Sequence, residues 1–73
     1  MIVVHAEYDD EVGRWTATSD DEHLGLVVEA DSLEEVRNLV PRLILDLVEA
    51  GAPRLPIGTP IEIVAHMSAR LPA

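Results

Sequence analysis

Apolar and polar positions alternate along residues 2–8, where β-branched side chains recur, and this period of two predicts a strand. Asp9, Asp10, Glu11, Val12 and Gly13 supply a turn, with Gly13 free to take a positive φ. Residues 14–18 alternate again, so the two runs predict a hairpin with a loop of about four or five residues. The polar segment 19–23 reads as a surface loop, and Gly25 as a bend or bulge leading into a third strand over residues 26–30. The period then changes. Leu33, Val36, Val40, Leu43, Ile44 and Leu47 recur at three- and four-residue intervals, the spacing of an amphipathic helix. Ser32 stands three residues before Glu35, as in a capping box, and Glu34 and Glu35 favour the positive end of the helix dipole. Gly51 is placed to close the helix at C′. Pro41 interrupts it, removing a donor to the Arg37 carbonyl at a cost of roughly 3 kcal/mol in a helix interior. The sequence leaves open whether the helix kinks there or divides in two. Residues 52–59, with Pro53, Pro56 and Gly58, form a proline-stiffened connection, and residues 60–67 alternate as a fourth strand opening at a proline. Residues 68–73 read as a tail.

The resulting order is β-β-β-α-β, an α+β fold of one helix on a four-stranded sheet. A right-handed crossover would lay the fourth strand parallel to the first. Ile2, Val4 and Ala6 then face the helix, matched by Ile61, Ile63 and Ala65. The opposite face carries Val3, His5, Glu7, Thr16, Val27, Glu29, Val64 and His66. One helix covers one side of a sheet, so Val3, His5, Val64 and His66 are expected to meet water or a second subunit.

Size sharpens that expectation. Seventy-three residues make one domain over residues 1–73. A chain this short buries only about 60% of its unfolded surface. Small domains compensate with disulfides, metals or oligomerisation. Cysteine is absent and the three histidines are scattered, which excludes a disulfide framework and disfavours a zinc site. Self-association, as a homodimer or higher homo-oligomer, is the remaining remedy. No apolar run approaches the roughly 18 to 20 residues of a membrane span, and the N-terminus has no signal-peptide pattern. With no cysteine, a cytoplasmic location is expected.

Charge narrows the function. Fourteen acidic residues oppose five arginines, with no lysine, for a formal net charge of -9. Nucleic-acid binding needs clustered cations, so direct binding of DNA or RNA is disfavoured. An acidic surface keeps a protein soluble and also steers a basic partner. Asp20, Asp21 and Glu22 form a dense acidic run that suits either role; it lacks the alternating spacing of a calcium loop. Trp15, the one tryptophan, is either core beneath the helix or a binding hot spot. The candidate partner-binding residues are therefore Asp20, Asp21, Glu22 and Trp15. His5 and His66 fall on the open face, where a pair of imidazoles makes a weak metal site or a pH-sensitive contact at a subunit interface. No nucleophilic triad spacing and no phosphate-binding glycine loop occurs, so no enzyme, metal or cofactor is expected.

Two stretches carry a family resemblance. Tyr8-Asp9-Asp10-Glu11-x-Gly13-x-Trp15-x-Ala17-Thr18-Ser19-Asp20-Asp21, followed by Gly25-Leu26-Val27-x-Glu29-Ala30-Asp31-Ser32-Leu33-Glu34-Glu35, resembles the HicB-like antitoxins. The similarity is greatest to the short relatives grouped beside HicB as a domain of unknown function. It spans about residues 2–48. The resemblance implies a partial ribonuclease H-like fold and a role in masking HicA, a small basic RNA-cleaving toxin. A ribonuclease H-like topology also invites a nuclease. Two-metal cleavage needs converging carboxylates, yet the centre of the first strand is Val4-His5-Ala6. HicB proteins often carry a C-terminal DNA-binding segment, which is not expected here. The second functional class is a stand-alone oligomeric scaffold or ligand-binding module without a toxin.

Overall fold

The computed structural model describes residues 1–52 and 54–72. Its elements are β1 (Ile2–Asp9), β2 (Arg14–Ser19), β3 (Val27–Ala30), α1 (Leu33–Glu49) and β4 (Ile61–His66). They form one four-stranded sheet in the order β3-β2-β1-β4, covered on one face by α1. β1 pairs antiparallel with β2 and parallel with β4, and β2 pairs antiparallel with β3. The expected α+β architecture and strand directions hold.

Local chemistry accounts for the element ends. Gly13 takes φ 68 and donates to the Asp9 carbonyl at 2.8 Å, closing the first hairpin. Ser32 caps α1, its Oγ accepting the Glu35 amide at 3.1 Å. At the other end Gly51, with φ 109, donates to Val48 O, and Ala52 donates to Leu47 O. These are the two bonds of a Schellman motif, and they satisfy carbonyls the helix would otherwise leave bare.

α1 runs unbroken through Pro41, so the divided-helix alternative does not occur. The ring lies on an exposed face, while Val36, Val40 and Ile44 on either side of it are buried. Packing of that stripe offsets the missing amide bond. The third strand begins one residue later than expected, at Val27, with Leu26 buried just before it. Pro53, assigned to the stiffened connection, lies outside the described residues, as does Ala73.

The core joins Ile2, Val4 and Ala6 of β1 to Trp15 and Ala17 of β2 and to Val28 and Ala30 of β3, beneath Val36, Val40 and Ile44. Leu24 and Leu26, from the connection between β2 and β3, complete it. Ile61 and Ile63 share this side of the sheet but are only partly buried, and Ala65 is exposed. The helix sits over the β3 half.

Candidate functional site

The helix-free face of the sheet gathers the polar residues of all four strands. Strand register sets its rows. Val27, Thr18, His5 and Val64 lie side by side across the sheet, and Glu29, Thr16, Glu7 and His66 form the next row. Val3 pairs with Glu62 on β4, and its carbonyl accepts the Asp20 amide at 3.0 Å on the other side. This face therefore holds Glu7, Glu29, Glu62 and Asp20 around a centre of valines, threonines and two histidines.

The two histidines are joined. His5 Nδ1 lies 3.0 Å from His66 Nε2, with ring centroids 5.2 Å apart and planes tilted by 24°. His5 Nε2 lies 2.8 Å from Asp20 Oδ1. A carboxylate accepts only, so His5 Nε2–H must donate to Asp20. In the neutral ring Nδ1 is then an acceptor, and His66 Nε2–H donates to it. The assignment follows from the network and fixes both tautomers.

Arg14 brings a cation to the edge of this face. Its Nη1 lies 3.6 Å from Glu29 Oε2, and its Nε lies 3.1 Å from Asp31 Oδ1, off the line a hydrogen bond requires. The contacts are half-exposed ion pairs and hold Arg14 against β3 rather than outward. Salt bridges among the described residues leave Glu7 and Glu62 uncompensated.

The expected partner-binding residues separate. Asp20, Asp21 and Glu22 are exposed, but only Asp20 reaches the helix-free face. Asp21 shapes its own loop: its Oδ1 accepts the His23 amide at 2.9 Å, and its carbonyl accepts from Ser19 Oγ. Trp15 requires a correction. It is buried under the helix, its ring 5.2 Å from Tyr8 at an angle of 57°, because strand parity turns positions 15 and 17 inward. It supplies core, not contact surface. Val3, His5, Val64 and His66 do share the helix-free face, the first three half-buried there and His66 exposed.

The acidic residues considered for metal-dependent cleavage are dispersed. Asp9 Oδ1 accepts the Glu11 amide at 2.9 Å within its turn. Among the described residues no three carboxylate or imidazole groups converge as metal ligands would. Also among them, no helix is long and apolar enough to cross a membrane. The Asp20–His5–His66 chain was not legible in the sequence. Its signal was the shared parity of positions 5 and 66, but the aspartate enters through the β1–β2 register.

Comparison with known proteins adds kinship without an activity. No curated protein matches the chain. A solved structure similar to it, a hypothetical protein from the extremely thermophilic bacterium Thermus thermophilus, is 30% identical. It aligns over 99% of this chain and 97% of its own with a TM-score of 0.67. The model of the domain of unknown function DUF1902 matches residues 1–72, and the chain belongs to that family.

Proposed function

We propose that the domain is an antitoxin-like protein-binding module that masks a small basic protein, an RNA-cleaving toxin of the HicA type, and does so without catalysis. One observation carries the reading. The helix-free face presents Glu7 and Glu62 uncompensated, with Glu29 and Asp20 beside them, and its cation Arg14 is already tied to β3. The lysines and arginines of a basic partner meet free carboxylates there on a sheet face that offers threonines and valines for close approach. Electrostatic complementarity of this kind raises the association rate and selects the partner, while contact area at the centre holds the complex. The HicB-like motifs support the same role, since they fall on the hairpin, the turn before β3 and the cap of α1 that build this scaffold.

Co-expression with an adjacent gene for a small basic protein tests the proposal. The expected result is a co-purifying complex and rescue of growth from the toxin. The paired substitutions Glu7→Gln and Glu62→Gln should slow association and flatten its dependence on salt. Absence of both complex and rescue would overturn the reading.

A stand-alone oligomeric module is the second reading. It is favoured by apolar surface on the opposite side of the sheet, between α1 and β4.

A further inference from the structure

Strand β4 is a free edge of the sheet. Within Ile61–His66 it carries no proline or lysine, and Glu62 is its one acidic side chain, so few of the devices that discourage pairing are present. The amide of Ile2 donates to the Pro60 carbonyl at 2.9 Å. In a parallel ladder that phase turns the even-numbered residues of β4 towards β1. The N–H and C=O groups of Ile61, Ile63 and Ala65 therefore point outward, and among the described residues no strand receives them.

The alternation of β4 does not stop at His66. Ile61, Ile63, Ala65, Met67, Ala69 and Leu71 continue it, with Glu62, Val64, His66, Ser68 and Arg70 between them. Residues 67–72 nevertheless lie exposed, with Met67 at 63% and Leu71 at 95%. The molecule is correspondingly long, 50 × 20 × 20 Å with a radius of gyration of 13.6 Å. A compact chain of this length would have about 11 Å. The arm carries the pattern of a half-buried strand and finds no cover among the described residues.

A matching apolar surface lies beside the edge. Two open hollows of about 400 and 450 Å³ run along the flank between α1 and β4. The first is walled by Pro41, Leu45, Val48, Ile57 and Ile61, and Ile57 is fully exposed there.

We propose that β4 pairs antiparallel with β4 of a second copy about a two-fold axis through Val64, so that each arm covers the apolar flank of its partner. This register keeps like faces together. It sets Ile63 opposite Ala65, Ile61 opposite Met67 and Glu62 opposite His66, and it carries the arm of one copy past the start of β4 of the other, towards the flank walled by Ile57 and Ile61. An axis through Ile63 would set Glu62 against Val64 and lose that acid–imidazole pairing. A stable interface takes roughly 20 to 30 residues a side. The strand edge alone falls short, whereas edge, arm and flank together approach that number. The arm and flank lie on the helix side of the sheet, away from the face proposed for the toxin; the two proposals meet at Glu62, Val64 and His66 on the β4 edge, and the dimer is tested without a toxin.

The chain has no cysteine, so single thiols report the register cleanly. Val64 meets its own copy as a non-hydrogen-bonded pair, with Cβ atoms about 4.5–5.5 Å apart, close to disulfide reach. Val64→Cys should cross-link into a dimer on oxidation, whereas Val27→Cys, exposed on the opposite border, should not. Light scattering of the unaltered protein should give twice the 8.0 kDa chain mass. Leu71→Asp should weaken the dimer roughly tenfold or more, as loss of one buried apolar contact would. A monomer at about 100 μM, where a dimer of micromolar affinity is largely assembled, would overturn the proposal. So would a dimer whose Val64→Cys variant stays reduced, and an unchanged dissociation constant for Leu71→Asp would remove the arm from the interface.

Discussion

At one border of the sheet, Val28 and Ala30 of β3 are buried beneath α1, with Leu24 and Leu26 beside them. At the other, Ile61 and Ile63 of β4 are only partly covered and Ala65 is exposed. Both strands alternate, and both turn these residues to the same side, with Val27 and Val64 on the other. The difference is the helix, which packs over the β3 half because the short connection through Asp31 and Ser32 ties its first turn to that strand. The long connection to β4 leaves the second border loosely roofed. Alternation thus states which residues share a face, and it does not state whether anything lies above them.

Substitutions on the two borders should separate accordingly. Leu26→Ala removes a buried side chain under the helix and should cost about 2–5 kcal/mol. In a domain of this size that lowers the melting temperature by roughly 8 °C or more, readable by circular dichroism. Ile63→Ala should cost roughly half as much in dilute protein, since its side chain is only partly covered. Its cost should grow with protein concentration if a second copy covers β4. Equal, concentration-independent losses at the two sites would erase the contrast. Ser32→Ala removes the cap that anchors α1 over β3 and should cost about 1 kcal/mol, measured by urea denaturation. Asp20→Asn, on the face neither border explains, should change stability by no more than about 0.5 kcal/mol. Its effect belongs in nitrogen NMR, where both rings of the unaltered protein should report protonated Nε2 and the variant should shift His5 first.

Much of this architecture was legible beforehand. The strands, the cap at Ser32 and the closing glycine Gly51 follow from short-range chemistry; the cap and the glycine stand where the local pattern put them, and the strands differ from it by one residue at their ends. Pro41 was not decidable, because its penalty is local while the stripe that outweighs it, Val36, Val40 and Ile44, acts through contacts with the sheet. Leu24 escaped notice since a lone leucine after a polar loop has no period to reveal it. The candidate site divides in the same way. Strand parity placed Val3, His5, Val64 and His66 on one face. The sequence left Trp15 between core and surface, and burial decided for core.

By itself the chain determined its elements, its acidic character and the side of the sheet to which each strand residue turns, because periods of two and 3.6 residues are properties of neighbouring positions. Tertiary structure alone decided that His5, His66 and Asp20 meet and that β4 is left partly bare. Those outcomes depend on register between strands about sixty residues apart and on where a helix comes to rest, and no local pattern encodes either.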